Sequence, residues 1–297
     1  MPNAGCRMLP FSALLLAALI GAFLLGHHFQ TPSKNAAPAP HETVYERVMR
    51  TGVIRCGYAV WPPIIAKNPN TGELSGIFYD YVNALGEALQ LKIDWSYEVS
   101  NMATYIQDMT DRKFDLECSG GWPDALRGRQ LIYTHPIFYL PYFLYARSDD
   151  PRFDTSLEAI NDPSIRFSMM DGDFSATIHD KLFPKSAIVS VPSNGPFANL
   201  FLEVMNQKAD VTGMDAFSGE PALDAYPGQI KRLPFPPLKV VPNTLSIARG
   251  ETDFLHMMNT ASDSLLYDGT IDRILDKYTA HFNLNTLFRI KKPYESR

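Results

Sequence analysis

An excess of basic residues is the first thing this sequence lacks. Its 27 Lys and Arg are outnumbered by 32 Asp and Glu, a net charge of −5. That leaves no basic face for nucleic acid, and no nucleic-acid partner is expected. No long run of one charge and no heptad pattern occurs. The seven histidines are scattered, and no metal-ligand spacing, Gly-rich phosphate loop or nucleophile elbow is present, so no metal or cofactor is expected. Long hydrophobic runs are also scarce. Only Leu9–Gly26 is long enough to cross a bilayer, which takes roughly 17–25 residues. Phe138–Phe143 is too short, so the chain does not read as a multi-span transporter. What remains is an ordinary globular mix, 45% hydrophobic and 20% charged, enough for one large α/β domain or two smaller ones.

Residues 1–29 carry one arginine, Arg7, ahead of the apolar run. This is the pattern of an export signal, and its length also suits a membrane anchor. No clear small-x-small cleavage site follows Leu25, and "NAAPAP" at 35–40 is the nearest candidate. Cleaved signal and uncleaved anchor both stay open. In either case Arg7 stays on the cytoplasmic side and the remainder is exported. Cys6 precedes the apolar run, which argues against a lipoprotein. The Pro/Ala stretch 30–43 reads as a linker, and the folded part is expected to begin near Val44. Export permits a bridge between the two other cysteines, Cys56 and Cys118. Adjacent parallel strands seldom offer that geometry, so the favoured reading is two small buried residues on neighbouring strands.

Strand and helix patterns then alternate. "GVIRCGYAV" (52–60) reads as a buried strand. In the next helix, Phe78, Tyr81, Val82, Leu85, Ala88 and Leu89 recur at three- and four-residue steps, one face of a helix. "IDWSYE" is a strand, "MATYIQDMTDR" a short helix and "FDLECSG" a strand. After residue 150 the order restarts: short helix "SLEAI", strand "IRFSMMDG", helix "FSATIHDKLF", strand "AIVSV", helix "PFANLFLEVMNQ", strand "ADVTGMD". The tail returns with a strand at "TLSIARG" and two helices separated by Asp268-Gly269-Thr270. Such alternation predicts a largely parallel sheet. An internal echo supports two sets in series. "MTDRKFDLECSG" and "VMNQKADVTGMD" align Lys113 with Lys208, Asp115 with Asp210 and Gly120 with Asp215. Each set delivers a loop at the C-terminal end of an equivalent strand, where open α/β sheets hold ligands.

With "RTGVIRCGYAVWPPI", "TGELSGIFYDYVNALGEALQLKIDW", "RKFDLECSGGWPDALRGRQLIYTHPIFY", "QKADVTGMD" and "LYDGTIDRILDKYTAHF" in this order, the chain resembles the periplasmic solute-binding proteins of polar amino-acid importers, solute-binding family 3. The resemblance runs from about Val44 to Phe282. It implies the type II periplasmic binding fold, two Rossmann-like lobes joined by two crossover segments. Lobe one would comprise 44–139 and 237–297, and lobe two 140–236. It also implies that a small zwitterionic or charged ligand, an amino acid or relative, is clamped between the lobes and handed to the membrane subunits of an ABC importer. The protein would act as a monomer, located in the periplasm, touching the membrane through its N-terminal segment if that is kept.

The resemblance places the family's carboxylate-binding arginine at Arg127, ahead of Pro136. A guanidinium suits a carboxylate because it donates two parallel hydrogen bonds. Gly120 lets a ligand approach free backbone. Asp215 takes the place of the acid that holds the ligand ammonium, although an Asp at that point also suits a helix N-cap. Trp61 matches the family's stacking aromatic, with Tyr58 a weaker candidate, and Arg129 is read as a surface residue. Two departures stand out. Trp122 replaces the usual Ser or Thr before the arginine. Gly172-Asp173-Phe174-Ser175 replaces the Gly-Thr-Thr or Gly-Ser-Thr helix start, putting Asp173 where an anion should land and leaving Ser175 as the hydroxyl. This puts a plain α-amino acid in doubt and keeps amines and modified amino acids open. Two other functions fit the same scaffold: a membrane-tethered sensory module, and a cyclohexadienyl dehydratase-like enzyme using His135, Asp124 or Asp173. None of those three sits in a catalytic motif, so the chain is read as a binder and not an enzyme.

Overall fold

A computed structural model describes residues 42–99, 101, 104–193, 195–282 and 287–292. The apolar segment 1–29 and nearly all of the linker lie outside them. Among the described residues no helix is long and apolar enough to cross a membrane.

The fold starts where the linker composition ends. Helix α1 (Val44–Thr51) is opened by a capping box in which Thr43 Oγ1 and the Glu46 carboxylate satisfy each other's backbone N–H groups. It ends at Gly52 in the left-handed region, φ 71°. Strand β1 (Val53–Tyr58) follows, then the small hairpin of β2 (Ala66–Lys67) and β3 (Leu74–Ser75), helix α2 (Ile77–Leu89) and strand β4 (Lys92–Glu98). Short α3 (Tyr105–Thr110) leads into β5 (Leu116–Gly121), and β6 (Leu131–Tyr133) and the long β7 (Phe138–Arg147) come next. The second series is β8 (Arg166–Met170), α4 (Phe174–Leu182), β9 (Ala187–Val191), α5 (Ala198–Met205), β10 (Val211–Asp215), α6 (Ala216–Ala225) and β11 (Ile230–Arg232). The chain returns through β12 (Lys239–Ala248), α7 (Thr252–Tyr267), α8 (Thr270–Phe282) and β13 (Phe288–Arg289).

The main sheet runs β4–β1–β5–β12–β7–β10–β8–β9. β1 is parallel to β4 and β5, and β8 is parallel to β9 and β10. Between these sets lie the ten-residue strands β7 and β12, antiparallel to each other and to their flanking neighbours. Each parallel set has the same order: its first strand in the middle, its second outside, its third beside the central pair. The order reverses at that first strand, so both sets carry a switch point at their C-terminal edge.

The echo seen in the sequence holds atom by atom. Lys113 Nζ pairs with Asp108 and Lys208 Nζ with Glu203, each five residues back at the end of its helix. Arg112 and Gln207, just before those lysines, both take left-handed φ, 60° and 59°. Asp115 and Asp210, nearly inaccessible, each bind an arginine of the neighbouring parallel strand.

Several expectations are corrected. Cys56 and Cys118 do form a disulfide, with Cα atoms 5.6 Å apart. Cys56 lies opposite Leu116, so the bridge joins positions two residues out of register, and that diagonal brings the sulfurs together. Ala88 is exposed in the last turn of α2, which ends one residue later at Leu89 with Gln90 as its C-cap in the left-handed region, φ 55°. "SLEAI" forms one 3₁₀ turn over Leu157–Ile160, not an α-helix. Helix α6 has no counterpart in the sequence reading, since Gly219 and Pro221 hide it. Gly219 is there for space: a Cβ would lie 1.9 Å from Tyr145 Oη. The main core packs α2, α7 and α8 on the β1–β5–β12 region, with Phe78, Tyr81 and Phe138 essentially sealed from solvent. Each such side chain contributes about 1.5–3 kcal/mol.

Candidate ligand-binding site

The C-terminal edges of both sets converge on one cavity of ≈ 70 Å³. From the first set come Ala59 and Trp61, beyond β1, and Glu117 and Ser119 to Trp122, along and just beyond β5; Arg127 and Tyr105 complete that side. From the second come Asp173 at the start of α4, Phe197 before α5, and Met214 and Asp215 at the end of β10. Gly120, at φ 91°, holds a backbone turn that a side chain resists.

Arg127 is fixed on the first side. Asp124 Oδ1 accepts the backbone N–H groups of Leu126 and Arg127 at 2.8 and 2.9 Å, an Asx turn. Asp124 Oδ2 also lies 3.2 Å from Arg127 Nε. Arg127 Nη2 donates to the Gly172 carbonyl at 2.9 Å, reaching across to the second set. Nη1 keeps its hydrogen-bonding capacity among the described residues.

The two oxygens of Asp215 differ. The residue is the N-cap of α6, with Oδ1 accepting from Ser218 N–H at 3.1 Å. Oδ2 is buried and has no partner. Burial pushes the carboxyl up to about 7, against the lowering effect of its hydrogen bonds to Ser218 and nearby backbone. The same burial acts on Glu117, raised above the usual carboxylate range despite two hydrogen bonds from Ser119.

The aromatics form a wall. Trp61 meets Trp122 edge to face at 5.4 Å and lies 6.4 Å from Phe197. Trp61 Nε1 donates to Ser218 Oγ at 2.9 Å, a second tie across the cavity. Away from the cavity lining, Ser193 Oγ donates to Asn101 Oδ1 at 2.9 Å. Trp122 packs on Phe174 and Tyr142 and donates Nε1 to Asn243 Oδ1 at 3.1 Å, so its polar edge is satisfied inside the protein.

Of the residues singled out in the sequence, Trp61, Gly120, Trp122, Arg127, Asp173 and Asp215 line this cavity. Tyr58 and Ser175 do not. Tyr58 points to Trp95 and to Glu98 Oε2, 3.4 Å from its hydroxyl. Ser175 is buried, and its N–H donates to Asp173 Oδ2 at 3.1 Å. Asp173 thus caps α4 and takes the N–H group that a bound anion would use at this helix start. Asp171 turns away and accepts from Ser190 Oγ. His135 is 59% exposed and sits against Asp263, remote from the lining. The sequence reading missed Glu117, Ser119, Tyr105 and Phe197. Glu117 had a visible signal: an acid inside an otherwise apolar strand.

The chain belongs to the bacterial extracellular solute-binding proteins, family 3, which it matches over residues 54–281. No curated protein matches it. Among solved structures, an ancestral amino acid-binding protein, a precursor of cyclohexadienyl dehydratase, is similar with 22% identity and a TM-score of 0.67, covering 80% of this chain and 99% of that one. The amino acid ABC transporter substrate-binding protein AbpA from Streptococcus pneumoniae, bound to L-arginine, has 14% identity and a TM-score of 0.68, covering 80% and 99%. The GluR0 ligand-binding core from Nostoc punctiforme, in complex with L-glutamate, has 19% identity and a TM-score of 0.64, covering 76% and 98%. These likenesses establish the fold.

Proposed function

We propose that this protein captures a small amino acid or close relative in the periplasm and delivers it to an ABC importer. Residues 44–139 with 237–297 act as one lobe and 140–236 as the other, hinged on β7 and β12. Arg127 receives the ligand carboxylate, Asp215 Oδ2 receives its ammonium, and Trp61 and Trp122 enclose the rest. The observation that carries this reading is the cavity itself. A guanidinium with donors to spare and a buried carboxylate oxygen without a partner come from opposite sets and line the same hollow. A ligand bearing both charges satisfies both only when the sides are together, so it favours the closed state by differential contact. The names of the similar structures, amino acid-binding proteins of ABC transporters among them, support the same class. No turnover is proposed. The family is extracellular by description, and the N-terminal segment serves export, with retention as an anchor the variant to be told apart by the mass of the mature N-terminus.

A thermal-shift screen of amino acids, amines and small carboxylates tests this reading. A ligand that binds only the folded state raises its stability by RT ln(1 + [L]/Kd). At least one amino acid should shift the parent protein, and Arg127→Ala and Asp215→Ala should each remove the shift while the unliganded variants still fold and melt cooperatively, Asp215→Ala at a lower temperature for loss of the α6 cap. Equal shifts in parent and both variants would discard the site.

A further inference from the structure

The charge lining the cavity does not balance for a plain zwitterion. Three carboxylates, Glu117, Asp173 and Asp215, face one guanidinium, Arg127. Asp173 is engaged as the cap of α4, and Asp215 Oδ2 is assigned to the ligand ammonium. Glu117 is left over. It is 6% exposed. Its Oε1 accepts the Ser119 N–H at 2.8 Å and the Ser119 hydroxyl, and Ser119 Oγ in turn accepts the Ala59 N–H at 3.1 Å. That structural chain uses one carboxylate oxygen. Oε2 has no hydrogen-bond partner. The Ser246 hydroxyl, also without a partner, comes close from β12 and works against the effect of burial on the Glu117 carboxyl, and Tyr133 Oη is likewise without a partner.

A buried carboxylate oxygen with nothing to accept from is unfavourable. Position 117 does not require an acid for packing. The disulfide and the fully buried Leu116 and Cys118 on the other face of β5 hold the strand in place. The residues lining the cavity therefore include two with a buried carboxylate oxygen that has no partner, one from each set, and one guanidinium.

We propose that Glu117 reads the ligand side chain, and that the ligand is a short amino acid carrying a second amine: its carboxylate on Arg127, its α-ammonium on Asp215 and its side-chain ammonium on Glu117. The proposal rests on the amino-acid reading above and adds the ligand class. The rings of Trp61, Trp122 and Tyr105 suit the methylene stem and the cation alike. A cavity of ≈ 70 Å³ favours a short stem.

Calorimetry on the exported chain decides it, using diamino acids with one to four side-chain methylenes and uncharged α-amino acids of matched length. The parent protein should bind its preferred diamino acid roughly 30-fold or more tighter than the matched neutral one, the scale of one charge-assisted hydrogen bond. Glu117→Gln should remove that preference, weakening the diamino acid by a similar factor and changing the neutral ligand by less than about threefold. If the parent binds neutral amino acids as tightly as diamino ones, or Glu117→Gln keeps the preference, the assignment of Glu117 is overturned and the amino-acid reading stands. If neither series binds, both fall. Should Glu117→Gln fail to fold by circular dichroism, the parent's discrimination between matched ligands decides alone.

Discussion

Asp115 and Asp210 occupy equivalent places and make equivalent bonds. Asp115 Oδ2 accepts the backbone N–H of Arg55 at 2.7 Å, and Asp210 Oδ2 accepts that of Arg166 at 2.9 Å. Each aspartate returns its own N–H to the carbonyl of the same arginine, at 2.9 and 2.8 Å. Each also holds that arginine's guanidinium. A second arginine completes both clusters, Arg47 at Asp115 and Arg152 at Asp210. These clusters pin the first strand of each set to its third, so they position the loops that carry the site.

Acid should loosen the second set through Asp210. Burial opposes ionisation there, but the hydrogen bonds from Arg166 and Arg152 prevail and bring the carboxyl down to about 2. The unfolded value is about 3.9, so the folded state binds fewer protons between them. The contribution is fully present above about pH 4 and is lost as pH falls through about 2. Arg152 and Arg166 are 45% and 41% exposed, and solvent screening keeps the effect to about 1–2 kcal/mol. Urea midpoints of the parent and Asp210→Asn across pH 2–6 should converge at the acid end.

Asp215 has the opposite sign. Its folded value of about 7 lies above the unfolded one, about 3.9. The folded state holds the extra proton, so stability of the unliganded protein falls as pH rises from about 4 to about 7. An ammonium requires the ionised form, so ligand affinity should rise roughly tenfold from pH 6 to pH 8, with proton release on binding. Calorimetry in two buffers of different ionisation enthalpy measures that release. Affinity that stays flat over this range would detach Asp215 from the ligand.

Arg127 and Asp124 should behave as a unit. Arg127→Lys keeps the charge and loses the fork, and is expected to weaken binding by about 1.5–3 kcal/mol. Asp124→Ala removes the Asx turn and the ion pair that aim the guanidinium, and should weaken binding in the same direction with no ligand contact of its own. A double-mutant cycle should therefore give less than the sum of the two.

Removing the bridge by Cys56→Ala with Cys118→Ala should lower stability by about 2–4 kcal/mol, as for a disulfide closing a long loop. Urea unfolding of the double variant checks this. An unchanged midpoint would mean that the two strands need no covalent tie.

Much of the fold was legible because helix and strand periods are local. The face of α2 and the alternation of strands and helices follow from apolar spacing alone. Arg127, Asp215 and Trp61 were singled out through family resemblance, and the structure brings them to one cavity. What stayed hidden depended on contacts between distant segments. Tyr58 reads as a cleft aromatic until Glu98 and Trp95 are seen beside it. Glu117 sits between the apolar Leu116 and Cys118, and its place in the cavity lining shows only once the strands are assembled. The disulfide depended on a two-residue offset between strands, which no spacing in the chain encodes.

The bridge between Cys56 and Cys118 has a kinetic meaning too. It lies immediately below Ser119 and three residues before Ala59, so the rim they form meets an incoming molecule already assembled. On the clamping proposed above, little ordering entropy is lost there at capture, and that half of the jaw does not need to be shaped by what it catches. The proposal then assigns the motion, and with it the rate of release, to the long central strands.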